Sequence, residues 1–423
     1  MQSNNGAEAY TLISHELSQL SEARTQRSIY RVHKDLRDVN NKAYEPEIIA
    51  IGPYHRDKDH LKMMEEHKLW YLHLLLKRKK ENVEAYISAM GELEQEARNC
   101  YAEPVSLNSA KFIKMLVLDS CFIIELVRKD HEGDHEDDPI FEMGWIMNSL
   151  QPDIILFENQ IPFFILCRLF DMIEGPNRHN MLIDRLLLFY QNNPGGRLKN
   201  KTERSLQEIK HLLDLIHSSL IDSVEELYVN VEEVPKTREW QFIPPATELT
   251  DANVAFKNVE SDNFFKVDFR DGIMLIPHFI IDDSKECLFR NLIAHEQYSS
   301  TTTRPNFVTD YVRFMDCLIN SSKDVEILSE CGIIENWLGD NEEVANIFNQ
   351  LFTSVTLTRD NFFYGTICDR VNTHYKKRWN RAMALLRRDY FNSPWSYFSF
   401  SAALAILLLT VAQTVLSFST GNK

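Results

Sequence analysis

The chain has 423 residues, 44% of them hydrophobic and 26% charged, with a formal net charge of −16. That apolar content supports a packed core and excludes wholesale disorder. So acidic a chain repels phosphate backbones, which excludes nucleic acid as an expected partner unless a local basic face exists.

Glycine and proline are scarce, at 13 and 14, and few breakers favour helices over many-stranded sheets. The seven cysteines are scattered and never form a CxxC pair. Their spacing reads as reduced thiols of a cytosolic protein rather than a disulfide framework. The start, MQSNNGAEAYTLISHELS, is polar and lacks the basic and apolar regions of a signal peptide. Sequons at Asn200 and Asn320 are of the kind that arise by chance.

Residues 1–27 read as a loosely ordered leader. A helical N-terminal lobe is expected over 28–228. It opens on SIYRVHKDLRDVNNKAYEPEIIAIGPYHR, broken into extended pieces by Pro46 and Gly52-Pro53. Helices are predicted from Leu61, over Ala85 to Asn99 and over Lys111 to Arg128. The last is so apolar all round, with only Asp119 and Glu125 charged between Lys114 and Arg128, that it belongs in a core. QPDIILFENQIPFFILCRLF, residues 151–170, reads as two helical pieces divided near Pro162, and Ser205 to Ser219 as another helix. Residues 229–247, with three prolines, read as a linker.

A C-terminal lobe is expected over 248–391. After a short helical stretch at Glu248 to Phe256, FFKVDFRDGIMLIP alternates around Asp271-Gly272, the best β-hairpin signal in the chain. Helices follow at about Lys285 to Tyr298, Phe307 to Asn320 and Asp324 to Cys331. Gly332 stands where a left-handed cap belongs, with Ile333 as its apolar contact. Asp340 with Glu343 predicts a capping box, and a long basic helix is expected from about Asn361 to Phe391.

WSYFSFSAALAILLLTVAQTVLSF, residues 395–418, holds 24 residues without a charge. At ~1.5 Å per residue a helix of that length spans roughly 36 Å, which predicts a transmembrane helix. Trp395 and Tyr397 would sit at the interface, with Ala402, Leu407, Gln413 and Phe418 along the span. Lys376, Lys377, Arg378, Arg381, Arg387 and Arg388 lie just upstream, so the positive-inside rule puts the body in the cytosol. The expected fold is therefore mainly α: a two-lobed helical body with a small β-hairpin and one C-terminal transmembrane helix.

Candidate sites are few. His131, Asp134, His135 and Asp138 could bind a metal, but a charge-rich loop reads better as a solvated one, so no metal is expected. No phosphate-binding loop, dinucleotide fingerprint, nucleophile elbow or kinase motif occurs, so no cofactor and no catalytic residue is assigned. His211 and His217 are six apart, off one helical face. His55, His67 and His73 read as structural. Glu158, Asn159 and Gln160 sit between apolar runs, where buried polar groups must find partners. They read first as caps of backbone groups where two helices meet and second as a recognition or catalytic site. Asn291 with Glu296 and Gln297 admits the same two readings.

At these residues a family resemblance becomes specific. IYRVHKDLRDVNNKAYEPEIIAIGPYH, MEEHKLWYL, MLVLDSCFIIEL and DIILFENQIPFFIL occur in order. IPPATELTDANVAFK, GIMLIP, LFRNLIAHEQ, DVEILSECGIIENWLGDNEEVANIFNQL and RDYFNSPWSYFSFSAALAILLLTVAQT follow. The series resembles the plant domain-of-unknown-function 247 family, over Ser28 to Phe418. One departure is His33, where the family usually has proline. The resemblance implies a plant protein with a helical body and a C-terminal membrane helix, and no established enzymatic activity. Some grass members look like pollen-side determinants of self-incompatibility. The expected function is a membrane-anchored, non-enzymatic recognition or signalling protein with an unknown protein partner. One alternative is an enzyme with its site between the lobes, near Glu158 or Glu296. Another is a membrane scaffold assembling through Ser399, Ser401, Ala402 and Ala405.

Overall fold

A computed structural model describes residues 8–15, 27–191, 209–229, 241–261, 263–299, 306–356, 362–377 and 394–420, with residues 6 and 17. Residues 8–15 are helical. The body begins with α1 (Lys34–Val39) and two short 3-10 turns, Asn41–Tyr44 and Asp59–Leu61. Then come α2 (Lys62–Lys79), α3 (Val83–Asn99), α4 (Ser109–Glu132), α5 (Pro139–Glu142), α6 (Gly144–Ile154), α7 (Phe163–Glu174), α8 (His179–Phe189) and α9 (Leu212–Val229).

α4 is the axis of this half. Sixteen of its residues are buried, and α2, α3, α7 and α8 all pack on it, as its all-round apolar sequence requires. Its two mid-helix charges are paired. Asp119 meets Arg56 at 2.9 Å and Lys68 at 2.7 Å, and Glu125 meets Arg78 at 2.8 Å and Arg128 at 2.5 Å. Asn108 caps the helix through the Lys111 N–H at 2.9 Å, and Gly133, at φ 67°, ends it.

The second half holds α10 (Ala246–Asp251), β1 (Ala255–Val259), β2 (Asp268–Arg270), β3 (Ile273–Pro277), β4 (Phe279–Ile281), α11 (Asp283–Tyr298), α12 (Phe307–Leu318), α13 (Ser322–Glu330), β5 (Ile334–Asn336), α14 (Asn341–Leu351), α15 (Gly365–Tyr375) and α16 (Pro394–Thr420). The hairpin forms where expected. β2 and β3 pair antiparallel, with Arg270 opposite Ile273. Asp271 and Gly272 both have positive φ, 51° and 81°, as a tight two-residue hairpin turn needs. β1 adds in parallel to β3, and β4 pairs in parallel with β5.

Gly332 donates to the Ser329 carbonyl and Ile333 to the Leu328 carbonyl, both at 2.9 Å, closing α13 with the expected left-handed cap. Asp340 caps α14 through the Glu342 N–H at 2.8 Å. The reciprocal capping box is on α13 instead, between Ser321 and Asp324. Described core residues from Ile29 to Val371 form one cluster. α11 joins the halves, packing on the Asn41–Tyr44 turn, α6 and α9 as well as α12 and α14. The linker expected over 229–247 lies outside the described residues at 230–240.

The expected transmembrane helix is corrected. Among the described residues no helix is long and apolar enough to cross a membrane. The backbone of α16 is helical over Pro394–Thr420, but its described side chains are those of residues 398–413. Ser399, Ser401, Thr410 and Gln413 interrupt its apolar side chains. Ala402, Leu407 and Gln413 are exposed there. The side chains of Trp395, Tyr397 and Phe418 lie outside the described residues, as do Arg378, Arg381, Arg387 and Arg388. Lys376 ends α15 and bonds the Gln241 side chain at 2.8 Å, and Lys377 follows, exposed. The positive-inside argument and the scaffold reading both rested on that span.

Candidate functional site

Between α6 and α7 the chain makes a buried turn, residues 155–162, and every residue of it is buried. Three successive polar side chains in this turn receive the extended N-terminal segment. Glu158 accepts from the Val32 N–H at 2.7 Å. Asn159 accepts from the Ile51 N–H at 2.6 Å and donates to the Ile49 carbonyl at 3.0 Å and the Asp153 carbonyl at 2.8 Å. Gln160 donates to the Ile154 and Leu156 carbonyls at 2.9 and 2.8 Å and accepts from the Leu213 N–H at 3.2 Å.

Asp153, at the end of α6, extends the clamp. It accepts from the Glu47, Ile48 and Ile49 N–H groups at 2.9, 2.8 and 3.0 Å. Asp119 takes the Gly52 N–H at 2.9 Å. Residues 47–52 thus have no regular secondary structure, yet five of their N–H groups end on buried side chains. At Gly52, φ is +74°, and an added Cβ would fall against the Gln160 carbonyl oxygen, so only glycine fits.

Around Glu158 a small ionic cluster forms. Arg37 lies 2.5 Å and Arg31 3.6 Å from its carboxylate, and His55 3.4 Å. Glu45 pairs with Arg37 and Lys58 and lies 3.6 Å from His55. Burial pushes the Glu158 carboxyl up, but His55, Arg37 and the Val32 N–H outweigh it and hold it below the usual range.

Glu296 on α11 does a parallel job for α12. It accepts from the Val308 N–H at 2.9 Å and from the Thr309 N–H and hydroxyl at 2.7 and 2.6 Å, the first donors of that helix. His217 of α9 donates to it at 2.8 Å. These bonds outweigh burial and hold the Glu296 carboxyl below the usual range. Asn291, one and a half turns earlier, accepts from the Phe157 N–H at 2.8 Å and donates to the Ala43 carbonyl at 2.7 Å, tying α11 to the N-terminal half. Gln297, at the surface, exchanges two 3.1 Å bonds with the Thr356 backbone.

Sequence reasoning did not anticipate the meeting of three histidines. His211, just before α9, and His217 within it approach His295 of α11, at ring distances of 5.3 and 4.9 Å. His295 lies 3.0 Å from Asp214. The spacing of six separates His211 and His217 on one helix surface, and only the packing of α9 on α11 brings them to one ring. Asp153, alone in an apolar run, was a legible signal of a buried carboxylate and was missed. The acidic loop is partitioned among other tasks: Asp134 pairs with Arg128, Asp138 with Tyr71 and Lys129, and His135 stacks on Phe141. Among the described residues no group of His, Cys, Asp or Glu is arranged to hold a metal ion.

At the joint of α6 and α11 a cavity of about 20 Å³ opens among Pro152, Ile155, Leu156, Cys287 and Asn291, room for one water. A wide surface hollow of about 740 Å³ lies over Asn258, Glu260, Lys266 and His278. Beside it His278 bonds Glu335 at 3.0 Å, and Glu335 accepts from the Trp337 indole N–H at 2.8 Å. Trp337 is 64% exposed. The Asn336 side chain accepts from the Leu338 and Gly339 N–H groups and fixes the turn that carries it.

A family model described as a plant protein of unknown function, DUF247, matches residues 29–409. The chain belongs to the DUF247 family. It is similar to the UPF0481 protein At3g47200 of Arabidopsis thaliana, 31% identical over 93% of this chain and 87% of the relative. It is also similar to the putative UPF0481 protein At3g02645 of the same plant, 24% identical over 91% of this chain and 89% of the relative. No solved structure matches. In this DUF247 chain the stretch DIILFENQIPFFIL is the clamp between α6 and α7. LFRNLIAHEQ is the face of α11 that carries Asn291, His295 and Glu296. The polar residues of the first stretch thus tie backbone within the N-terminal half, and Asn291, His295 and Glu296 of the second join that half to α11.

Proposed function

We propose that this DUF247 chain works as a recognition protein that binds a protein partner and carries out no chemistry of its own. Trp337 is the observation that supports this most directly. A large aromatic held in the open by Glu335, on a turn fixed by Asn336, is pre-ordered for burial against a partner and loses little entropy on binding. The adjoining hollow would receive the partner's side chains. The polar family-motif residues support the same reading from the other side, because Glu158, Asn159, Gln160 and Glu296 each direct their oxygens to backbone N–H groups. A self-recognition or defence setting, of the kind the resemblance implies, fits a binding task. The seven cysteines are free thiols, which supports a reducing, cytosolic setting.

In-cell photo-cross-linking from position 337 should recover one reproducible partner. With that partner purified, Trp337→Ala should weaken binding by about 2 kcal/mol, roughly 30-fold, at unchanged melting temperature. Turnover of a substrate that Glu158→Gln abolishes in a still-folded chain would replace this reading with an enzymatic one.

A further inference from the structure

α9 starts with a cap that can titrate. His211 is its N-cap, and its Nδ1 accepts from the Asp214 N–H at 3.2 Å. Asp214 reaches back to the Lys210 N–H at 2.9 Å, so the two form a capping box with histidine in place of serine or threonine. An imidazole can serve as this acceptor only while neutral. Protonating Nδ1 sets a hydrogen against the N–H it now accepts, at the positive end of the helix. Its Nε2 is buried and faces the Ser28 backbone rather than a carboxylate.

The other two rings complete the joint. His295 donates to Asp214 and His217 to Glu296, so the carboxylates that face the cluster, one from α9 and one from α11, are already engaged. Lys210 adds a positive charge facing His211, Asp214 and His295. On α12 the Asp310 carboxyl, pushed well above the usual range by burial and by Glu296, accepts from the Phe363 N–H at 2.7 Å. The turn between α6 and α7 contributes Phe157 and Gln160, which are neutral. The His295 ring lies 5.3 Å from that of His211 and 4.9 Å from that of His217, so a proton on His211 or on His295 disfavours a proton on the other. Burial depresses both His211 and His295, His211 to about 3.

We propose that His211 and His295, packed with His217, form an acid-sensitive latch that holds α9 against α11 at neutral pH and releases it on mild acidification. Release would uncover the buried side chains Leu213, Ile216 and Leu220 of α9. The sign follows from linkage: a histidine depressed in the closed form takes up its proton only on opening, so closure weakens as pH falls below about 6.5. From pH 7 to pH 5 His211 alone raises the opening constant about 25-fold, and His295, depressed in the same direction, adds to it.

Hydrogen exchange of the full chain, corrected for intrinsic rates, tests this. Protection of α9 should fall by about 25-fold or more between pH 7 and pH 5. α3, capped by Asn82, serves as the internal control and should change only a few-fold. His211→Asn keeps the capping acceptor and His295→Gln keeps the donor to Asp214, and neither titrates. In the double variant α9 should follow α3, and the single His211→Asn chain should lose about 25-fold of the effect. The proposal is overturned if α9 tracks α3 in the unaltered chain, if α9 is unprotected at pH 7, or if the variants keep the full pH dependence.

Discussion

Replacing Asp119 with alanine should destabilise the chain by about 3–5 kcal/mol, read as a lower midpoint of urea unfolding at unchanged slope. Asp119 is fully buried on α4, and so is Lys68 on α2. The carboxylate takes both Nη atoms of Arg56 at 2.9 and 3.0 Å, the Lys68 ammonium at 2.7 Å and the Gly52 N–H at 2.9 Å. Alanine leaves Lys68 with Glu65 at 2.6 Å and the Ala50 carbonyl, and leaves Arg56 with Glu65 alone. Each cation keeps its desolvation and loses most of its attraction. Attraction within such a pair only roughly balances the cost of burying it. The chain carrying both Lys68→Met and Asp119→Leu should therefore be more stable than Asp119→Ala, with the orphaned Gly52 N–H and the two lost Arg56 bonds as the residual losses. A double change that costs the sum of the singles would show that the charges are not coupled.

The second large effect falls on Asp153. Asp153→Ala strips the acceptor from three N–H groups and should cost about 3–5 kcal/mol, at roughly 1–3 kcal/mol for each donor left unpaired in a buried setting. Asp153→Asn should cost far less, about 1–2 kcal/mol, because one oxygen remains to take the Ile48 and Ile49 N–H groups that now share Oδ2. Burial pushes the Asp153 carboxyl up, to about 7, against the pull of those same N–H groups, which is a further reason for a neutral amide to be tolerated. Equal losses for the two variants would mean that the negative charge itself matters.

Much of this was legible in the sequence, for identifiable reasons. The hairpin could be read because Asp271-Gly272 is a local signal for a turn with two positive φ angles. The left-handed end of α13 could be read because Gly332 and Ile333 stand at fixed offsets from it. α4 could be read as central because its sequence has no polar face. The backbone-capping role of Glu158, Asn159 and Gln160 followed from placing polar groups among apolar runs. The targets of those groups did not follow, because Val32, Ile49 and Ile51 lie about a hundred residues away. The parallel pairings of β1 with β3 and β4 with β5 left no short-range mark. Nor did the histidine joint, whose three rings come from two elements that sequence spacing does not connect. The transmembrane expectation rested on a count of uncharged residues, which does not weigh the serines, Thr410 and Gln413 that dilute the apolar side chains; among the described residues no helix is long and apolar enough to cross a membrane.

The central claim is that the polar motif residues clamp backbone. Hydrogen exchange of the amides of residues 47–52 at pH 7 tests it most directly. If Asp153, Asn159 and Asp119 hold these groups, the amides of Glu47 to Gly52, except Ala50, should exchange only through global unfolding, as slowly as the core of α4, despite lying outside any helix or strand. Exchange at the rate of an exposed loop would contradict the clamp and return Glu158, Asn159 and Gln160 to the list of residues free to meet a substrate.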